Sequence, residues 1–143
     1  MTGVIPAQLL APPEPGKQTL LFVYGTLKRG GGLHAYLEHD AQFLSEGTIP
    51  GRLFDLGWYP GYRRSEAGVV HGELFEIPEY RLSEFDRVEG APGLYRRIQQ
   101  QVTVADTPEM LVFRLAWVYE YARKLSGERE IPGGVWPVGE KIQ

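Results

Sequence analysis

Apolar positions in this 143-residue chain come in short runs rather than in long helical stripes. Thr19-Leu-Leu-Phe-Val-Tyr24 is a continuous apolar run that stops at Gly25, with the length and flanks of a buried strand. Residues 42–48 and 51–56 read as two strands broken around Ile49-Pro50, and residues 69–77 as another that Pro78 ends. Residues 94–104 and 111–121 are longer β-rich segments joined through Asp106-Thr-Pro108. Residues 79–88 are predicted helix, with Gly90 placed to cap its C-terminus. A short helix is also predicted over 33–38. Trp58-Tyr-Pro-Gly-Tyr62 reads as a turn carrying exposed or pocket-lining aromatics.

Strands dominate and no regular βα alternation is present, which argues against a doubly wound parallel sheet. The predicted class is α+β: a mixed or antiparallel sheet, curled or closed into a small barrel, with one or two short helices. The 18 glycines and 11 prolines fit many turns and short elements. With 43% apolar and 23% charged residues the chain has the makeup of one globular domain. Pro6, Pro12, Pro13, Pro15 and Gly16 mark residues 1–18 as an irregular, mobile leader, so the domain is placed at 19–143. The tail from 126 is expected to run irregularly over the body.

Charge and composition exclude several functions. The net charge is −3, and the basic pairs Lys28-Arg29, Arg63-Arg64 and Arg96-Arg97 are scattered, so no stripe tracks a nucleic-acid backbone. Without cysteine there is no thiolate nucleophile or Cys-based zinc site. No apolar run approaches the roughly 20 residues of a membrane-crossing helix. The first ten residues lack a basic n-region and a sustained hydrophobic stretch, so a cytoplasmic location is expected.

Two segments carry candidate chemistry. In Phe22-Val-Tyr-Gly-Thr-Leu-Lys-Arg-Gly30, a strand ending at Gly25 turns the next amides outward into a small anion-binding nest. Residues 25–30 also open like a P-loop, but Gly31 and Gly32 stand where Lys and Ser/Thr are required, which excludes nucleotide binding of that type. A ligand-holding loop and a bare strand-ending turn both remain open. In Leu82-Ser-Glu-Phe-Asp-Arg-Val-Glu89, Leu82, Phe85 and Glu89 share one helical stripe, so the core-facing side ends in a carboxylate. Burial and the negative helix end both raise the pKa of an inward Glu, which suits proton exchange near neutrality. The alternative is a helix-end Glu that swings to solvent or pairs with Arg96 or Arg97.

Asp86 reads as structural, holding the helix end or a loop amide. Glu73 is a second strand carboxylate; paired with Glu89 it would suggest glycoside hydrolysis. His34 and His39, five apart, suit no common one-face metal pair, and His71 is alone. None of the four serines lies in a GxSxG elbow.

Taken together, these blocks resemble the γ-glutamylcyclotransferase-like superfamily, closest to its γ-glutamylamine cyclotransferase branch. The resemblance rests on residues 22–30, on Gly51-Arg-Leu-Phe-Asp-Leu-Gly-Trp-Tyr-Pro60 and on Val70-His-Gly-Glu-Leu-Phe-Glu-Ile77. It continues through Leu82, Phe85-Asp86, Glu89-Gly90 and Tyr95-Arg-Arg97 into Trp117-Val-Tyr119 and Ile131-Pro-Gly-Gly-Val-Trp136. One departure is Gly133-Gly134-Val135-Trp136, where many relatives carry Gly-Asp-Trp.

The resemblance implies a small-molecule γ-glutamyl substrate, Glu89 as catalytic acid/base, and Tyr24, Gly25, Thr26, Leu27 and Tyr95 as substrate-binding residues. It implies intramolecular aminolysis to 5-oxoproline and a free amine or amino acid, with no metal or cofactor required. The competing readings are a non-catalytic binding domain of the same fold, and an enzyme that removes a γ-glutamyl group from a biosynthetic intermediate.

Overall fold

The computed structural model describes residues 16–107 and 110–138; most of the predicted leader, residues 108 and 109 of the predicted joint between the last two strands, and residues 139–143 lie outside them. Seven strands form: β1 (Gln18–Val23), β2 (Gln42–Pro50), β3 (Arg52–Asp55), β4 (Pro60–Arg63), β5 (Val69–Pro78), β6 (Tyr95–Thr107) and β7 (Met110–Tyr121). Helix α1 is the single turn Ala35–Glu38; a 3-10 turn, Glu79–Arg81, leads into α2, Leu82–Val88. No helix among the described residues is long and apolar enough to cross a membrane.

Five strands close a barrel in the order β1-β5-β2-β6-β7, and β3–β4 is a separate hairpin. The barrel pairings are antiparallel except the closing one, where β1 meets β7 in parallel at Leu21 and Trp117. The α+β barrel expected from the sequence is thus the architecture found. Its boundaries shift slightly: the first strand begins at Gln18, and the first helix covers only the last four of the six predicted residues.

The closed sheet explains why β1 reads as an unbroken apolar run. Phe22 and Tyr24 face the barrel interior with Val70, Leu74, Val102 and Val118. The alternate residues Leu21 and Val23 face a second layer made with Phe75, Ile77, Leu82 and Phe85. Both faces of the strand are therefore buried, and the usual polar alternation disappears.

One prediction fails. Residues 58–62 are not all turn, because Pro60–Arg63 is strand β4 and Tyr62 is fully buried. Pro60 takes the first position of the strand, where a missing N–H is tolerated. Its neighbour Gly61 made a four-residue strand look like punctuation.

The tail beyond β7 is held in place. Backbone bonds tie it to β3, Ile131 N–H donating to the Leu53 carbonyl and Asp55 N–H to that of Arg129. Gly134 has φ +66°, and a Cβ there would lie 2.0 Å from the Val69 carbonyl oxygen, so only glycine permits this approach. The buried Trp136 then plugs the barrel interior.

Helix α2 lies over the outer layer. Arg81 anchors its start through Asp40 at 2.5 Å and Glu84 at 2.9 Å. Gly90, at φ +68°, ends it as a left-handed cap. Leu82 and Phe85 point into the second layer, and Phe85 is wholly buried. Phe85→Ala is expected to destabilise the protein by about 3–5 kcal/mol, measured by urea unfolding, because the cavity it leaves is walled by rigid strands.

Candidate active site

A cavity of about 410 Å³ opens where the end of β1, the loop after it, the β3–β4 turn and the end of α2 meet. Volumes of this order are typical of small-molecule sites. The cavity is lined by Tyr24, Gly25, Thr26, Leu27, Glu89 and Tyr95, all six residues singled out from the sequence. Tyr119, Trp58, Tyr59 and Leu33 complete much of the wall.

Glu89 is the C-cap of α2, and its N–H still donates to Phe85. It therefore continues the helical stripe of Leu82 and Phe85. Its carboxylate makes no hydrogen bond or ion pair among the described residues. Both arginines that could have neutralised it are engaged elsewhere: Arg96 donates to Glu120 at 3.2 Å, and Arg97 to Asp86 at 2.8 and 3.1 Å. Burial without compensation pushes the Glu89 pKa from 4.5 up to about 7. The negative end of α2 acts in the same direction.

The loop beside it is stiffened from within. Lys28 N–H donates to the Gly25 carbonyl, and Leu33 N–H to that of Thr26. His34 Nδ1 lies 2.9 Å from the Leu27 carbonyl oxygen. The amides of Gly25, Thr26 and Leu27 donate to no other described residue and so stay free for an incoming acceptor. Lys28 is turned away: its buried Nζ donates to the Trp136 carbonyl at 2.7 Å, and burial lowers its pKa.

The tyrosines build walls. Tyr24 O–H donates to the Tyr119 carbonyl at 2.6 Å and accepts from Tyr62 N–H at 3.1 Å. Tyr95 O–H donates to the Pro60 carbonyl at 2.6 Å, fixing the start of β4. Burial raises the pKa of Tyr24, Tyr95 and Tyr119, with the nearby Glu89 charge adding to it, so all three remain protonated donors. Since the Tyr24 and Tyr95 hydroxyls are occupied, these residues offer the cavity their rings.

Other candidates fall elsewhere. Glu73 accepts from Arg29 N–H and Nε and lines a second, open hollow with Lys28, Glu46 and His71, so it does not pair with Glu89. Asp86 accepts from Arg97 and from the Tyr119 hydroxyl at 2.6 Å. Burial opposes its charge, but these bonds outweigh that and lower its pKa. No group of three His, Asp or Glu side chains suited to a metal is found among the described residues. Tyr119 was noticed in the sequence only as part of a motif. Its outward phase on β7, shared with Trp117, was the signal that it could reach the helix.

The fold and this site define a class, and comparison with known proteins places the chain in it. Residues 21–138 match the family described as γ-glutamyl cyclotransferase, AIG2-like, and the chain belongs to that family. A Vibrio cholerae relative is 37% identical over 120 residues, covering 83% of this chain and 96% of its own. The γ-L-glutamyl-butirosin B γ-glutamyl cyclotransferase of Niallia circulans is 36% identical over 110 residues, covering 72% of this chain and 67% of its own. The crystal structure of an AIG2-like protein from Mus musculus superposes with a TM-score of 0.64 at 32% identity, covering 73% of this chain and 78% of that one.

The raised carboxyl has a consequence for stability that needs no substrate. Between pH 4.5 and about 7 the unfolded chain releases the Glu89 proton while the native state keeps it. The native state therefore loses stability as pH rises through that window and regains none above it. Glu89→Gln lacks this penalty. Its Tm is expected to exceed that of the wild type by a margin that grows from pH 4.5 to 7 and then levels off, as read by calorimetry.

Proposed function

We propose that the protein is a cyclotransferase that releases 5-oxoproline from γ-glutamyl amines, with Glu89 moving the proton. The observation that carries this reading is a single unpaired carboxyl, poised near pH 7, facing a cavity beside a loop with free amides. The amides of Gly25, Thr26 and Leu27 would hold the substrate's α-carboxylate or the oxyanion that forms at its γ-carbonyl. The rings of Tyr24 and Tyr95 would confine the folded chain so that its α-nitrogen meets its own γ-carbon.

Glu89 takes a proton from the α-ammonium group, and the freed amine attacks the γ-carbonyl. A new C–N bond closes the five-membered ring, Glu89 passes its proton to the departing nitrogen as the old amide C–N bond breaks, and the second proton, shed by the ring nitrogen, leaves with the amine in its ammonium form. Atoms and charge balance without a further reactant. A group titrating near 7 is suited to both transfers, because it is neither too weak a base nor too weak an acid.

The cavity lining contains no Arg, Lys or His among the described residues, and Glu89 is its one charged side chain. A leaving group with a carboxylate close to its amine would find no counter-charge there. Amines that are neutral or cationic near the scissile bond are therefore favoured. The relative from Niallia circulans, named for a γ-glutamyl-butirosin substrate, supports a second reading in which the γ-glutamyl group is cleared from a larger biosynthetic amine.

A panel of γ-glutamyl amines, γ-glutamyl amino acids and γ-L-glutamyl-butirosin B, scored by 5-oxoproline release, tests the reading. Release from the amines with little from the amino acids is expected. Glu89→Gln should lower turnover by about 10² or more while the circular dichroism spectrum is unchanged. Release from none of the panel would leave a binding domain, and full activity of Glu89→Gln would remove Glu89 from the mechanism.

A further inference from the structure

We infer that Asp86 is a positioning residue that captures the Arg97 guanidinium and so keeps Glu89 unpaired. The inference deepens the reading of Glu89 as the proton-moving group and rests on it for its functional consequence.

Asp86 and Glu89 are three residues apart, which makes them neighbours on the helix surface at roughly 5–6 Å between Cβ atoms. Arg97 comes to this helix end from β6. It lies directly across from Tyr119 on β7, and its guanidinium sits 4.4 Å from the centre of the Trp117 ring. Tyr119 touches both carboxylates' surroundings, since its hydroxyl donates to Asp86 and its ring lines the cavity with Glu89. The Arg97 guanidinium is taken up by Asp86, the first of these two neighbouring carboxylates, in a two-pronged contact at 2.8 and 3.1 Å. Such geometry fixes both position and direction of the arginine.

The remaining charges are arranged to the same end. Arg96 is held by Glu120, which is 2% exposed and is also bound by Arg64. Arg87 is exposed and only two residues from Glu89, a spacing at which helical side chains do not face each other. The titratable groups that share the cavity with Glu89 are Tyr24 at the end of β1, Tyr59 in the β3–β4 turn, Tyr95 on β6 and Tyr119 on β7. Burial raises the pKa of Tyr24, Tyr95 and Tyr119, so these three bring it no charge. Among the described residues Arg97 is thus the cation bound three residues before Glu89, and Asp86 is what holds it.

In this role the Asp86–Arg97 pair differs from an ordinary structural ion pair, because its two members have unequal effects. Losing Asp86 leaves an arginine looking for a carboxylate; losing Arg97 does not. In Asp86→Asn, which keeps shape and an acceptor for Tyr119, Arg97 turns to Glu89. An opposite charge at contact lowers a carboxyl pKa by about 1–3 units. The Glu89 titration midpoint, followed by carbon-13 NMR of the carboxyl in the full chain, should fall by that amount. Arg97→Gln alone should not lower it, and Asp86→Asn combined with Arg97→Gln should return it to the wild-type value. The acid limb of kcat/KM should follow the same pattern.

An unmoved midpoint in Asp86→Asn, or one that the second change fails to restore, would overturn the inference. If Asp86→Asn does not fold, Asp86→Ser with and without Arg97→Gln carries the same comparison. A midpoint that moves and returns while the pH–rate limb stays fixed would uphold the role of Asp86. That outcome would instead remove Glu89 as the base, so the two claims fail separately.

Discussion

Three segments of the chain meet at the hydroxyl of Tyr24. It donates to the backbone of β7 at Tyr119 and accepts from the backbone of β4 at Tyr62, from a position at the end of β1. Buried backbone groups left without partners are unfavourable by about 1–3 kcal/mol each, so this junction is strongly specified. The cavity depends on it directly. The end of β1 carries the loop with the free amides, β7 carries Tyr119 beneath the helix, and β4 carries the wall that Tyr95 grips through Pro60. Barrel closure by a parallel β1–β7 contact brings these parts within reach of one small ligand.

The proposed chemistry rests on what is withheld from one side chain. Among the described residues, other carboxylates are held by cations: Asp86 by Arg97, with the Tyr119 hydroxyl, Glu120 by Arg64 and Arg96, and, at the second hollow, Glu73 by Arg29. Glu89 is half-buried with no counter-charge among the described residues, and desolvation raises its pKa. Satisfied carboxylates stiffen the frame, while the unsatisfied one is left with a proton affinity matched to neutral pH. A destabilised group with a well-paired surround is the pattern expected of a functional site, and the proposed role of Glu89 fits it.

Much of this was legible in the sequence because the relevant patterns are local. The unbroken apolar run of β1, the stop at Pro78 and the stripe Leu82, Phe85, Glu89 each depend on neighbours within a few residues. The class of fold followed from many short strands without βα alternation. What was not legible depends on pairing across the chain. Strand β4 was hidden because Pro60-Gly61 reads as a turn until Tyr62 is seen to fill the barrel. The choice of Arg96 for Glu120 and Arg97 for Asp86 is set by the β6–β7 register and has no sequence signal. That register decided between a neutralised Glu89 and an unpaired one.

The most direct test is a crystal structure of Glu89→Gln holding an intact γ-glutamyl amine, since the variant should bind substrate without consuming it. The account predicts the α-nitrogen within roughly 2.6–3.2 Å of the side chain at position 89, the distance needed for proton transfer. It also predicts a carboxylate or carbonyl oxygen of the substrate against the amides of Gly25, Thr26 and Leu27. A substrate seated in the hollow beside Glu73 and His71, or lying with its α-nitrogen turned away from position 89, would contradict it.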